Sequence, residues 1–397
     1  MSAALTKQDF ADYIVPTYKP AILMKRGMGC RLWDDAGQEY LDFAAGISVC
    51  NLGHCHPGVT AAIARQAATL VHTSNVFMNE NAPELAKQIV RHSFDGKVFF
   101  SNSGAEANEG MIKAARRWGW AHGGRHDIIC LHDSFHGRTL AALAATGRAK
   151  YREGFGPDMA GFTHVPANDL AALEAAITEK TVAIMCESIL GEGGVLPLTD
   201  EYLRALRKLC DDRNLLLLAD EVQAGMGRTG KWWGWQHSGI TPDIMSFAKG
   251  IGNGFPLGGF VLGRHLDGTL PYLSHGTTYG GNALATAAGL AVMSAMENEG
   301  VIDNVHRVSA RIFERLNGLR ERFPNLITEV RGRGLMIGIE ITKTPADLVA
   351  AARAKHLLIL AAGDKALRLL PPLNISLADA DKAIDVLEGV LTEAAKN

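Results

Sequence analysis

The chain lacks several features that would place it in a specialised class. Its 397 residues carry a net charge of −2, with no basic surplus. A general binder of nucleic acid or anionic membrane normally shows one, so neither partner is expected. No run of about 18 uncharged apolar residues occurs, and runs such as Leu215–Ala219 are far too short to span a bilayer. The N-terminal stretch MSAALTKQDFADY has no basic start followed by a long apolar segment, so no secretory leader is expected. The six cysteines (Cys30, Cys50, Cys55, Cys130, Cys186, Cys210) form no CxxC pair. They read as reduced, buried thiols of a cytoplasmic protein rather than a disulfide framework. Internal repeats and low-complexity linkers are absent as well. What the chain has in excess is glycine: 43 residues, about 11%, against a usual 7% or so. Nineteen of them fall between Gly191 and Gly289. With 47% hydrophobic residues there is ample material for a core.

Residues 28–43 read as a hairpin, with Cys30–Trp33 and Glu39–Phe43 around a DDAG turn. Beyond residue 60, short apolar runs alternate with helix-length segments. The runs are Lys97–Phe100, Asp127–Leu131, Val182–Cys186, Leu215–Ala219, Ile244–Phe247 and Phe260–Leu262. This is the pattern of parallel strands covered on both faces. The last hundred residues read as helix 301–322, strand Gly334–Ile341, helix Pro345–Lys355, strands Leu357–Ala361 and Leu367–Leu370, and helix 378–395. A smaller α+β domain is expected there, with the N-terminal hairpin packed on it. The division is 1–58 for the N-terminal segment, 59–299 for a large domain and 300–397 for the small one.

Four apolar runs end in polar residues: Ser101-Asn102-Ser103, Glu187-Ser188, Asp220-Glu221 and Lys249. Open α/β sheets bind ligands outside the carboxyl ends of their strands, so the four ends point to one shared site.

Two motifs compete for attention. Gly225–Gly230 matches G-x-G-x-x-G, but an acidic pair separates it from the strand and no helix start follows, which argues against an NAD-linked dehydrogenase. The same stretch reads GxxxxGK, yet Trp232 stands where a phosphate loop needs Ser or Thr. It is expected to be a glycine-rich loop following a partner surface. His54-Cys55-His56 and His132…His136 match no metal-ligand spacing, so no metal is expected, and Trp232, Trp233 and Trp235 read as packing.

The chemistry lies elsewhere. Ser103-Gly104-Ala105 joins a strand to a helix, and free amides at a helix start, approached closely over a glycine, suit a phosphate. Asp220 ends a buried strand and must pair with something. Lys249 ends another; a desolvated lysine has a lowered pKa and can form a Schiff base with an aldehyde. Phosphate site, carboxylate and lysine together match pyridoxal phosphate, whose protonated ring nitrogen the carboxylate would pair with. A plain Asp220–Lys249 salt bridge is the alternative.

With these residues in view, Asp220-Glu221-Val222-Gln223, Gly225–Gly230, Pro242-Asp243-Ile244 and Phe247-Ala248-Lys249-Gly250 closely resemble the class III pyridoxal-phosphate aminotransferases. The stretches His72–Asn75, Phe135–Thr139, Gly191–Gly194 and His275–Asn282 fit the acetylornithine branch of that class. Ser188, where proline is common, and Thr277-Thr278, where Ser-Thr is common, depart from the pattern without removing a required group.

The resemblance implies a fold-type-I α/β transferase. Its large domain would hold a mostly parallel seven-stranded sheet, and both termini would supply the small α+β domain. It implies that Lys249 carries the cofactor and moves the proton, and that Asp220 pairs with the ring nitrogen. Phe135 would stack on one ring face and Val222 on the other, with Gln223 at the ring hydroxyl and Glu221 grouped with them. Ser103, Gly104 and Ala105 would bind phosphate, completed by Thr278 from the second subunit of a homodimer. Arg138 and Arg368 would clamp substrate carboxylates, Thr277 would lie beside the substrate, and Glu192 would gate Arg368. The implied reaction moves the terminal amino group of N2-acetylornithine to 2-oxoglutarate. Ornithine, succinylornithine, N-succinyl-diaminopimelate and 4-aminobutyrate are the competing donors; a non-catalytic binding protein is the rival of another kind.

Overall fold

The computed structural model describes residues 7–396. The N-terminal leader reading and the outer ends of the 1–58 and 300–397 segments fall partly outside these residues.

A seven-stranded sheet forms the centre. Its spatial order is Gly96–Ser101, Gly258–Gly263, Ile244–Phe247, Leu216–Asp220, Thr181–Glu187, Asp127–Leu131 and Phe162–Val165. Leu216–Asp220 and Thr181–Glu187 are buried at every position, as strands covered on both faces must be. All pairings are parallel except those of Gly258–Gly263, which is antiparallel to both neighbours. The parallel reading of the Phe260–Leu262 run is therefore corrected. Its chain returns from Ile244–Phe247 within the loop that carries Lys249, too short a connection for a parallel crossover. The edge strand Phe162–Val165 escaped notice because Thr163 and His164 interrupt its apolar run.

The helices have clear local causes. Thr199, Asn282, Ser376 and Ser103 each cap a helix by accepting from the backbone N–H three residues on. Helix Val301–Arg322 begins after Gly300, in the left-handed region.

Two four-stranded sheets flank this unit. One contains Met24–Met28, Arg31–Asp34, Glu39–Asp42 and Leu357–Leu358; the other contains Ile327–Arg333, Met336–Ile341, Ala366–Leu369 and Leu360–Ala362. The run Leu357–Ala361, read as a single strand, is split. Its first half pairs in parallel with Glu39–Asp42 and its second half antiparallel with Ala366–Leu369. The buried Ile359 sits at the change of sheet. Strand Ile327–Arg333 was also unforeseen, because its charged residues Glu329, Arg331 and Arg333 mask any apolar alternation. Among the described residues no helix is long and apolar enough to cross a membrane.

The Gly225–Gly230 loop does not follow a partner surface. Every residue from Ala224 to Gly230 is buried. Arg228, fully buried, donates to Ser48 Oγ (2.9 Å), Asn51 Oδ1 (2.7 Å) and the carbonyls of Leu335 (3.0 Å) and Pro371 (2.6 Å). Hence the loop binds the N-terminal segment and the C-terminal hundred residues to the central unit.

Candidate active site

The four polar strand ends meet. Ser103, Glu187, Asp220 and Lys249 line one cavity of about 380 Å³, together with Asn102, Gly104, Ala105, Asn108, Phe135, His136, Arg138, Val222 and Gln223.

One end is made by helix Gly104–Ala121. Ser103 Oγ accepts from the Glu106 N–H at 3.2 Å, and the Glu106 carboxylate accepts from the Asn102 N–H at 2.8 Å. The amides of Gly104 and Ala105, in the first turn, have no intrahelical acceptor and carry the positive end of the dipole. A Cβ on Gly104 would lie 2.7 Å from Val222 Cγ1, so only glycine lets Val222 close over this end.

Asp220, 3% exposed, is held in place by three donors. Asn108 Nδ2 (2.8 Å) and His136 Nδ1 (2.7 Å) both approach Oδ2, while the Val222 N–H donates to Oδ1 at 3.0 Å. Oδ1 thus retains capacity for a further donor on the cavity side. His136, from a stretch that matches no metal-ligand spacing, and Asn108, which no motif marks, thus both belong to the site. The signal for Asn108 was available, since it lies one helical turn beyond Gly104 and so on the same face.

Lys249 follows strand Ile244–Phe247 after Ala248 alone and has φ +49°, the left-handed region, which costs a non-glycine residue about 1–3 kcal/mol. Burial pushes its pKa below the ordinary lysine range and the Arg368 charge adds to this, while Glu192, Asp220 and Glu187 oppose. No direct Asp220–Lys249 salt bridge forms.

Behind Gln223, which lines the cavity, Arg368 is 2% exposed. Its Nη1 donates to Glu192 Oε1 (2.6 Å) and Gln223 Oε1 (3.0 Å), and its Nε has no partner. Phe135 presents its ring to the cavity, with the exposed Arg138 guanidinium 5.3 Å from the ring centre and 4.0 Å from that of Tyr151.

Glu221 is corrected. Successive strand residues face opposite ways, and Asp220 and Val222 take the cavity side. Glu221 turns into the core, where it accepts from the Gly234 (2.7 Å) and Trp235 (3.0 Å) N–H groups. Burial pushes its pKa up to about 7. Thr277 and Thr278 also lie apart, lining no part of their own chain's cavity; Thr278 is exposed. Glu187, one of the four polar strand ends, lines the cavity as well. It is fully buried at the cavity wall, and burial together with the Asp220 charge pushes its pKa up to about 7.

The residues present fit pyridoxal phosphate. The helix start suits its phosphate, the open lone pair of Asp220 suits a protonated ring nitrogen, Phe135 and Val222 are placed for its faces, and Lys249 suits its aldehyde.

The model of the aminotransferase class-III family matches residues 13–391. The chain belongs to the class-III aminotransferases. It is 47% identical to the acetylornithine aminotransferase of Caldanaerobacter subterraneus over 96% of this chain and 98% of that one. Among solved structures, the N-acetylornithine aminotransferase of Stenotrophomonas maltophilia superposes with a TM-score of 0.83 at 35% identity, covering 95% of this chain and 97% of the other. The ornithine aminotransferase of Toxoplasma gondii gives 0.92 at 31%, covering 99% and 96%, and that structure has PLP at partial occupancy in its active site. As a class-III aminotransferase, the chain is an enzyme that uses pyridoxal phosphate to move an amino group between an amino donor and a keto acid.

Proposed function

We propose that the chain transfers the terminal amino group of N2-acetyl-L-ornithine to 2-oxoglutarate, giving N-acetyl-glutamate semialdehyde and glutamate. The observation that carries this reading is the Arg368–Glu192 pair, joined through Arg368 to Gln223 of the cavity lining. The donor brings an amine to the reacting end, whereas 2-oxoglutarate brings a carboxylate at each end. With Glu192 paired to it, Arg368 is masked against carboxylates; with Glu192 swung away, its guanidinium is free to hold one bidentately. Arg138, which also lines the cavity, would hold the carboxylate remote from the reacting carbon, the α-carboxylate of the donor and the γ-carboxylate of 2-oxoglutarate. The similarity to acetylornithine aminotransferases supports the donor.

Bound pyridoxal phosphate supplies an aldehyde that takes up the amino group and a ring that draws electrons from the carbon bearing it. Asp220 Oδ1 would pair with the protonated ring nitrogen, and Asn108 and His136 hold that carboxylate in position. Lys249, its pKa lowered chiefly by burial, carries the amine that would take the proton from the substrate carbon and return it. Phe135 and Val222 exclude water from the ring faces. The amides of Gly104 and Ala105 with Ser103 hold the phosphate.

The reading includes a homodimer in which Thr278 of one subunit completes the phosphate site of the other. Two exposed loops support it. Val76, Phe77 and Met78 lie on one, Tyr272, Leu273 and Tyr279 on the other. Asn75 Nδ2 fastens the two by donating to the carbonyls of Thr277 (3.2 Å) and Gly280 (3.1 Å). An apolar surface of this kind marks an interface. A cytoplasmic location completes the reading.

Borohydride reduction followed by peptide mass analysis tests the cofactor attachment. A pyridoxyl adduct on Lys249 is expected, and its absence refutes the role of Lys249. Half-reaction rates with acetylornithine, ornithine and 4-aminobutyrate test the donor. Faster reaction with 4-aminobutyrate than with acetylornithine overturns the assignment.

A further inference from the structure

The reaction as described leaves one buried carboxyl of the cavity without a task. Glu187 ends strand Thr181–Glu187 in register with Asp220 on the neighbouring parallel strand, so the two side chains share a face. Its two oxygens serve two different walls. Oε1 accepts from the Phe135 N–H at 2.9 Å, and Oε2 accepts from the Gly191 N–H at 3.3 Å. Phe135 carries the ring at the cavity; Gly191 immediately precedes Glu192. A Cβ at 191 would run into Gln223 Nε2, so an added side chain would displace the amide that binds Arg368. The carboxyl therefore spans from the cofactor side of the cavity to the turn that bears Glu192.

We propose that Glu187 is a positioning residue, a proton-sensitive latch that fixes the Gly191–Glu192 turn when ionised and releases it when protonated. The inference rests on the reading of Glu192 as the mask on Arg368. An ionised carboxylate accepts both N–H groups. A protonated one has an O–H donor in place of an acceptor, and the proton settles on Oε2, whose bond is the longer and weaker. Gly191 is then freed while Phe135 stays held.

The charged and titratable groups facing Glu187 are Asp220, His136 and Lys249, with the Cys186 thiol behind it on its own strand. Asp220 repels the ionised form. His136 and the two N–H groups favour it. Burial and Asp220 prevail, which brings the titration to about 7, within the working range of a biosynthetic enzyme.

The latch has a readout independent of turnover. In hydrogen–deuterium exchange of the holoenzyme, corrected for intrinsic rates, the peptide spanning residues 188–194 should lose protection about fivefold between about pH 8 and about pH 6. That ratio corresponds to about 1 kcal/mol, one ordinary hydrogen bond. Glu187→Gln offers one acceptor at every pH, so its peptide should exchange at the faster rate throughout. In parallel, the KM for 2-oxoglutarate should change with pH in the wild type and be flat in E187Q, with kcat for the donor half-reaction moving less. Glu187→Asp, which restores an ionisable group, should restore a pH dependence.

Equal exchange of this peptide in wild type and E187Q at about pH 8, or an unchanged pH profile of the KM in the variant, overturns the latch. Should E187Q fail to fold, the wild type alone decides: no pH dependence of exchange in 188–194 refutes the proposal. Failure of the donor assignment is distinguished separately, as lack of reaction of the wild type with acetylornithine at any pH.

Discussion

Replacing Arg228 by methionine removes a guanidinium that has no carboxylate partner among the described residues, only oxygen acceptors. Burial pushes its pKa down from the ordinary arginine value, so the site tolerates the charge only because four oxygens surround it. Those oxygens come from Ser48, Asn51, Leu335 and Pro371, three separate stretches of chain. Each hydrogen bond to a charged donor contributes about 1.5–3 kcal/mol, and the acceptors left behind are buried and have no water to turn to. Against this stands the several kcal/mol that burying an ion costs, which the methionine would recover. The bonds outnumber the single charge, so the expected loss is about 3–5 kcal/mol, at the upper end for a point substitution. Arg228→Lys keeps the charge but replaces a planar fork by a point donor that cannot reach all four oxygens; about half the loss should remain. Urea unfolding of the apoprotein, followed by tryptophan fluorescence, measures both without involving the cofactor. A Met variant within about 0.5 kcal/mol of wild type would exclude this role for Arg228. So would a Lys variant indistinguishable from wild type, because only a planar fork reaches all four oxygens.

Other outcomes follow from the site. Gly104→Val should weaken cofactor binding at least about tenfold, because even the first added carbon lies 2.7 Å from Val222; cofactor titration by fluorescence checks this, and unchanged affinity would contradict the phosphate-end assignment. Glu192→Gln should lower the KM for 2-oxoglutarate and erode discrimination between donor and acceptor by about tenfold, a ratio of half-reaction constants being the measure; an unaltered ratio would contradict the mask. His54 stands 2.7 Å from the buried Asp42, which raises its pKa to about 10. A base whose pKa is raised on folding lends stability that is complete below its unfolded pKa, about 6.5, and is lost as pH climbs through the folded value. Wild-type stability should therefore decline between about pH 7 and about pH 10 by on the order of 2–4 kcal/mol, and His54→Gln should show a flatter profile in the same window; equal slopes would exclude the pair as the cause.

Much of the sheet was legible because buried parallel strands are written as uninterrupted apolar runs, and the reactive ends of four of them converge as the strand-end rule requires. What escaped notice has identifiable physical causes. Phe162–Val165 and Ile327–Arg333 carry polar residues that only tertiary packing makes acceptable. The direction of Gly258–Gly263 depends on connection length, which periodicity does not encode. Within the site, Lys249 and Asp220 announced themselves as charged groups in apolar surroundings. His136 and Asn108 did not, because a lone donor on a helix or loop becomes meaningful only when a carboxylate arrives from a distant strand. Glu221 was grouped with its neighbours by sequence adjacency, and the alternation of strand side chains separates it from them.

The apolar run that changes sheets at Ile359 bears on the order in which the chain can fold. Strand Glu39–Asp42 receives its parallel neighbour from Leu357–Leu358, more than three hundred residues later. A chain emerging from the ribosome N-terminus first must carry that strand edge unpaired until nearly all of the polypeptide has been made. An open edge held for so long is a place for mispairing and aggregation. Pairings of this sequence separation also close slowly, because the loop entropy must be met before the contact forms. Assembly of this enzyme is thus set to finish at its C-terminal end: six residues, Leu357–Ala362, join the first-made strands to the last-made sheet in one step.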